Sequence, residues 1–177
     1  MFLRPSLIAF VFLPLLLYGC AGNPAADKSV SDKGTVKATL LSKGRSVKNI
    51  AVNLNESNLK KERVDTAKTY TLTSRIENNV QSNLQEKGSY DSKNGDITLN
   101  INITAFRLRS GSSAFWLGAM AGADVIAVDV DVEANGENIK SFKTDTSTIL
   151  GGMAFPAPSQ RVNRMSKELA KRIVENL

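Results

Sequence analysis

The sequence predicts an α+β fold: a four- or five-stranded antiparallel or mixed sheet with two helices packed on one face. Three observations support this prediction. Several short segments alternate apolar and polar residues, as half-buried strands do. Two longer segments repeat apolar residues every three or four positions, as amphipathic helices do. These segments follow the order (β)βαβββα along 177 residues, a length typical of one domain.

The first half of the fold is predicted to contain a strand followed by a helix, and an optional additional strand precedes them in the order given above. Alternating apolar residues predict the optional strand over Thr35–Leu41 and the strand before the helix over Ile50–Leu54. The helix is predicted from about Asp65 to Lys87, and Gly88 suits its end because glycine tolerates a left-handed backbone there. Its apolar stripe has a residue at every fourth position: Leu72, Ile76, Val80 and Leu84.

Three further strands are predicted in the second half. The first covers Ile97–Thr104, where apolar and polar residues alternate. The second covers Asp124–Glu133, where an inward-facing apolar residue recurs at every second position: Ile126, Val128, Val130 and Val132. Asn135-Gly136 is a strong signal for a two-residue hairpin turn, so a return strand is expected from about Ile139 to Thr148.

The hairpin is also predicted to contain a β-bulge near Lys140-Ser141. An uninterrupted register would place Phe142 opposite Asp129, which would put an aromatic ring beside a carboxylate. One extra residue in the return strand would instead place Phe142 beside Val130.

A second helix is predicted to close the chain. Ser159, directly after Pro158, is the expected N-cap residue. The apolar face repeats at helical spacing: Val162, Met165, Leu169, Ile173 and Leu177.

The composition excludes several classes of chemistry. The chain has no His and a single Cys, so it offers no imidazole base, no Ser-His-Asp or Cys-His nucleophile, and no internal disulfide. We therefore predict that the protein is not an enzyme and holds neither a cofactor nor a metal ion.

The N-terminus is predicted to be a secretory signal peptide. One charge at Arg4 precedes an apolar run over Leu7–Leu17, which is too short to span a bilayer. The following Leu17-Tyr18-Gly19-Cys20 resembles the bacterial lipobox. This resemblance implies that the signal is cut before Cys20, whose thiol receives diacylglycerol and whose new amino group receives a fatty acid such as palmitate. An ordinary signal peptide with an incidental cysteine is the alternative.

The predicted domain organisation follows from this leader. Residues 1–19 are the signal peptide, 20–45 the lipidated cysteine and a polar, flexible tether, and 46–177 a single α+β domain. Lipoproteins of this kind with alanine after the cysteine, as with Ala21 here, are usually sent to the outer membrane. We therefore expect a lipid-anchored outer-membrane protein whose domain faces the periplasm.

Two apolar, glycine-rich segments form the main candidate site. They cover Ser110–Ala123 and Ile149–Pro158, and the predicted hairpin places both at the same end of the sheet. They either cap the core or form an exposed patch for a protein partner or membrane. The residues of this apolar patch are Phe115, Trp116, Leu117, Met120, Ile149, Leu150, Met153 and Phe155.

A row of carboxylates on one strand face is the second candidate. Asp129, Asp131 and Glu133 alternate with valines, so they point away from the core. They are either a cation or acid–base site, or a solvated face with lysine partners across the hairpin.

The excess of basic residues is the third candidate. Lys and Arg number 23 against 17 Asp and Glu, giving a net charge of +6, and many basic residues lie in the last helix. They form either a solvated surface with pairs such as Glu168–Arg172, or a site for an anionic lipid or cell-wall polymer. Nucleic acid is not an expected partner, because no aromatic residues are interleaved to stack on bases. The basic residues of this helix are Arg161, Arg164, Lys167, Lys171 and Arg172.

Several motifs together resemble a known family. They are Phe106–Gly111, the glycines Gly118 and Gly122, Val125–Val132 with Asn135-Gly136, and the amphipathic C-terminal helix. These features are similar to a Gram-negative outer-membrane lipoprotein family catalogued as a domain of unknown function. Its fold is similar to the small TolB-like and curli-secretion-type envelope domains. The resemblance implies an envelope location and a protein-interaction role, and it transfers no catalytic residues.

The functional expectation is therefore a lipid-anchored periplasmic lipoprotein that acts as a non-enzymatic binding or assembly module, with an envelope protein as partner. One alternative is a self-assembling structural subunit of an envelope or secretion-type complex. The other is an enzyme that acts on cell-wall or lipid substrates through carboxylates such as Asp129 and Asp131.

Overall fold

The computed structural model describes residues 40–110, 122–149 and 156–177. Its sheet has four strands in the spatial order β1-β2-β3-β4. Strand β1 runs parallel to β2, whereas β2–β3 and β3–β4 are antiparallel pairs. The strands are β1 (Val47–Leu54), β2 (Ile97–Arg107), β3 (Asp124–Ala134) and β4 (Glu137–Thr148).

Within the described residues, three helices accompany the sheet: α1 (Lys61–Thr69), α2 (Leu72–Glu86) and α3 (Pro158–Glu175). Helix α2 packs against β1 and α3, and α3 also contacts β3 and β4. The predicted α+β class is confirmed, with a mixed sheet. A 3₁₀ turn covers Leu40–Lys43, so the optional strand over Thr35–Leu41 is wrong at its described end.

The core lies between the sheet and the helices. Alternate residues of β2 and β3 are fully buried on the face that meets the helices, while the other face carries half-buried Asn, Thr, Asp and Glu. Burying this apolar area provides most of the driving force for the fold. The core positions of the two central strands are Ile97, Leu99, Ile101, Ile103, Phe106, Ile126, Val128, Val130 and Val132.

The predicted single helix from Asp65 to Lys87 is wrong, because the chain breaks it into α1 and α2. Thr71 takes a left-handed backbone, with φ of 48°. Val64 and Ala67 of α1 are buried, yet in one continuous helix they would lie on a different side from the stripe of α2. The break at Thr71 lets both apolar sets reach the core. Gly88 ends α2 as predicted, with φ of 65°.

The hairpin contains the predicted bulge, one residue earlier than expected. Val132 pairs with Lys140, and the residue before Lys140 has no partner in β3. The extra residue is therefore Ile139, which is 38% exposed. Beyond the bulge, Phe142 pairs with Val130 as predicted, and its ring packs against the core. The bulge therefore exchanges an isoleucine for a larger aromatic side chain on the buried face.

Helix α3 begins two residues earlier than predicted. Ala157 is the N-cap and Pro158 is the first helical residue, so Ser159 is not the cap. Proline suits this first position because it lacks an N–H group and its φ is already helical. At the other end, the Lys140 ammonium donates to the Asn176 carbonyl, which provides a cation for the negative end of the helix dipole.

Candidate functional site

The β3–β4 hairpin brings the flanks of the two apolar segments together. Asp124, the first residue of β3, pairs with Thr148, the last residue of β4. The segment that precedes Asp124 and the segment that follows Thr148 therefore join the sheet at the same end, as the sequence predicted. Ile149, the first residue after β4, is 64% exposed.

The other members of the predicted apolar patch lie outside the described residues. Cys20, the predicted lipidation site, also lies outside them. The patch and the lipidation site therefore stay predictions. The residues of the patch concerned are Phe115, Trp116, Leu117, Met120, Leu150, Met153 and Phe155.

At the base of these segments lies a buried ionic cluster of Arg109, Asp124 and Arg161. Arg161 Nη1 donates to Asp124 Oδ2 at 2.6 Å, and Arg109 Nε donates to Asp124 Oδ1 at 3.3 Å. The Arg109 backbone N–H donates to the same Oδ1 at 2.8 Å. Asp124 is 0% exposed, and the two arginines are 6% and 2% exposed. One carboxylate therefore joins the start of β3, the segment after β2 and the start of α3.

The cluster also ties down backbone at the same end. Arg161 Nη2 donates to the Arg109 carbonyl at 2.9 Å, and Arg109 Nη2 reaches the Thr148 carbonyl at 3.4 Å. Taking three charges out of water is costly, and hydrogen bonds from both guanidinium groups to the carboxylate offset that cost. The cluster therefore fixes the backbone positions from which the two apolar segments leave the sheet.

This cluster was not predicted from the sequence, although the sequence contains a signal for it. Asp124 is in phase with the buried positions of β3, and Arg161 lies one helical turn before Met165 on the buried face of α3. A charged residue in phase with a core stripe indicates a buried ion pair. The expectation that Arg161 belongs to the basic surface is wrong, because it lies in the core beside Asp124.

The carboxylate row on β3 lies on the face of the sheet away from the helices, with polar partners. Lys143 Nζ contacts Asp129 Oδ2 at 2.8 Å, and Ser141 donates to Asp131 at 2.6 Å. Glu133 accepts a hydrogen bond from the Asn100 amide at 2.8 Å. This is the arrangement expected of a solvated sheet face with cross-strand partners.

Within residues 40–110, 122–149 and 156–177, no three His, Cys, Asp or Glu side chains are grouped so that they could hold a metal ion. No helix in these ranges combines the length and the apolar character needed to cross a bilayer.

The fold and this site define a two-layer α+β protein whose distinctive feature is a buried Arg–Asp–Arg cluster at one end of the sheet. The chain belongs to the family described as Domain of unknown function (DUF4410), which matches residues 45–176. The predicted resemblance to a family of that description is confirmed. No curated protein matches the sequence.

Solved structures with a similar shape come from several bacteria. A PelC dodecamer from Paraburkholderia phytofirmans is 14% identical, with 73% of this chain and 88% of that chain covered at a TM-score of 0.44. A minor lipoprotein from Acinetobacter baumannii is 12% identical, with 72% and 90% covered at 0.37. At these TM-scores the likenesses carry no argument about function.

Proposed function

We propose that the protein is a lipid-anchored periplasmic lipoprotein that acts as a non-enzymatic binding or assembly module of the outer membrane. Residues 1–19 would be removed, Cys20 would carry the lipid, 20–45 would form the tether, and 46–177 the working domain. The leader supports this proposal, because the only cysteine of the chain falls directly after a signal-like apolar run. Two or more acyl chains would give a stable membrane attachment.

The contact of the module with an envelope protein is assigned to the apolar patch at the loop end of the sheet. One observation carries this assignment: Asp124 pairs with Thr148, so both apolar segments begin at the same end. The exposed Ile149 extends from that end. The ionic cluster of Arg109, Asp124 and Arg161 holds the base of both segments, so a docking surface there would be positioned before its partner arrives.

The lipid anchor is tested by replacing Cys20 with serine. We expect the wild-type chain to take up an alkyne-labelled fatty acid and to sediment with outer membranes, and C20S to lose the label and to stay uncleaved. The expectation follows because only a thiol can be diacylated by lipoprotein processing. Mass spectrometry of the N-terminal peptide and membrane fractionation measure both results.

A matched control variant leaves Cys20 and the signal peptide before it unchanged. The Ser31→Ala chain alters the expected tether at a site remote from the cysteine and should be labelled and sorted like the wild type. Equal labelling of C20S and the wild type would contradict the lipid anchor.

The docking patch is tested with Trp116, the single tryptophan of the chain. In the full chain in neutral detergent, we expect Trp116 emission to be red and quenched by acrylamide, and to shift blue when envelope extract is added. Pure lipid vesicles should cause no such shift if the partner is a protein. The measurement is tryptophan fluorescence with acrylamide titration.

A blue, unquenched emission that ignores extract would mean that the apolar segments cap the core instead. The Ile149→Asp chain provides a second check, because a charge at this exposed position should abolish the blue shift without changing the folded circular dichroism spectrum.

A further inference from the structure

A polar groove of about 720 Å³ lies between β4, α3 and α2. Its volume falls within the range of about 300–1,000 Å³ that small-molecule sites occupy. One side is the flank of α3, the second the last residues of β4, and the third is Asn83 of α2. The groove is separate from the buried ionic cluster, none of whose three members lines it.

The α3 side of the groove is strongly basic. Arg164, Lys167 and Lys171 follow one another at three- and four-residue spacing, which places them on one flank of the helix. Arg172 also lines the groove, but it is already engaged with Glu168 at 3.2 Å. Glu168 is the only acidic residue among the lining residues. The groove therefore carries an excess of positive charge.

Three of the cations that line the groove are available to a ligand. Within the described part of the chain, no ion pair within 4 Å involves Arg164 or Lys167. Lys171 has only a long contact of 3.8 Å with Glu175, and both side chains are more than half exposed. Surface pairs of this kind contribute little, so Lys171 can exchange it for a ligand.

The opposite side of the groove supplies neutral hydrogen-bond donors. Thr146 and Thr148 pair with the buried residues Ile126 and Asp124, so they lie on the face of β4 that meets α3, and side-chain amides add further donors. The N-terminal end of α3 adds a partial positive charge, because its cap is Ala157 and its first turn has no acidic residue. The neutral lining residues whose side chains supply these donors are Thr146, Thr148, Asn83, Gln160 and Asn163.

We propose that this groove is a binding site for a phosphate group, carried either by an anionic phospholipid headgroup or by a soluble phosphate. A tetrahedral oxyanion accepts hydrogen bonds on several sides, which matches cations on α3 and hydroxyls on β4 better than a planar carboxylate does. Arg164 offers a planar fork to two phosphate oxygens, and Lys167 adds a compact charge. The assignment of the phosphate to a phospholipid headgroup rests on the proposed function, because a lipid-anchored chain would lie close to the headgroups of its own membrane.

The site is tested by NMR on the full chain, labelled with ¹⁵N and kept in a neutral, phosphate-free detergent. Inorganic phosphate, acetate at equal ionic strength, and dihexanoyl phosphatidylglycerol below its micelle concentration are titrated separately. We expect saturable shifts of the side-chain amides of Asn163 and Gln160 with phosphate and with the lipid, and at least tenfold weaker effects with acetate.

A double variant removes the basic flank. We expect R164Q with K167Q to weaken phosphate binding at least tenfold while the rest of the amide spectrum stays folded. The matched control, K48Q with K61Q, removes two exposed lysines from β1 and α1 and should bind as the wild type does. Half-saturation by the lipid at lower concentration than phosphate assigns the headgroup as the source, and the reverse order assigns soluble phosphate.

Three results would overturn the site: no saturable shift, equal shifts with acetate and phosphate, or equal loss in the groove variant and its control. The C20S chain separates this proposal from the lipid anchor. It should still bind inorganic phosphate, because the described lining residues of the groove belong to α2, α3 and β4, which are remote in sequence from Cys20. A failed anchor with intact phosphate binding, or the converse, therefore shows which proposal is at fault.

Discussion

Replacing Asp124 with alanine is expected to lower the free energy of unfolding by about 3–5 kcal/mol. The change removes the carboxylate that accepts hydrogen bonds from both Arg109 and Arg161, which are nearly fully buried. Two like charges would then stay in the core without the anion that compensates them. Urea denaturation followed by far-UV circular dichroism measures the loss. D124N keeps the size of the side chain and should recover only a small part of it.

A surface carboxylate of the same strand provides the control. D129A removes the pair with Lys143, whose side chain is 80% exposed, and should cost less than about 1 kcal/mol. Equal losses in D124A and D129A would mean that the buried cluster contributes no more than a solvated pair. The position that it gives to the two apolar segments would then need another cause.

Replacing Leu169 with alanine is expected to cost about 2–5 kcal/mol of unfolding free energy. Leu169 is 0% exposed and belongs to the core between α3 and the sheet. Its loss removes apolar contacts and leaves a cavity that the surrounding side chains fill only in part. Thermal and urea unfolding measure the effect. We also expect faster hydrogen exchange in α3, because the apolar face that contains Leu169 packs this helix against the core.

An exposed residue of the same helix is the matched control. K167A should change the unfolding free energy by no more than about 0.5 kcal/mol, because Lys167 lies on the solvent side of α3. If L169A were as mild as K167A, α3 would not be packed as the structure has it, and the groove beside it would lose its wall.

Much of the fold could be predicted because the burial pattern is local. The alternation in β2 and β3 and the four-residue spacing in α2 and α3 depend only on the geometry of strands and helices. The turn at Asn135-Gly136 is equally local, since Asn135 and Gly136 both take positive φ. Even the bulge could be inferred, because Phe142 had to reach the buried face.

Elements that depend on distant residues were harder to predict. The break at Thr71 serves the core rather than local preference, since Val64 and Ala67 need a different helix direction from α2. The parallel pairing of β1 with β2 is also decided at long range, because the connection between them contains α1 and α2. Neither feature has a signature within a few residues of itself.

The amino-acid sequence alone predicts the class of fold, the strand and helix faces, the lack of histidine chemistry and the resemblance of Leu17–Cys20 to a lipobox. Tertiary packing, by contrast, brings Asp124 together with Arg109 and Arg161 in the core and makes β4 and α3 the sides of one groove. Hydrophobic periodicity and residue composition indicate which side of a segment is buried and which side is exposed to water. A salt bridge between residues 37 positions apart forms only when packing brings both partners into the same desolvated space.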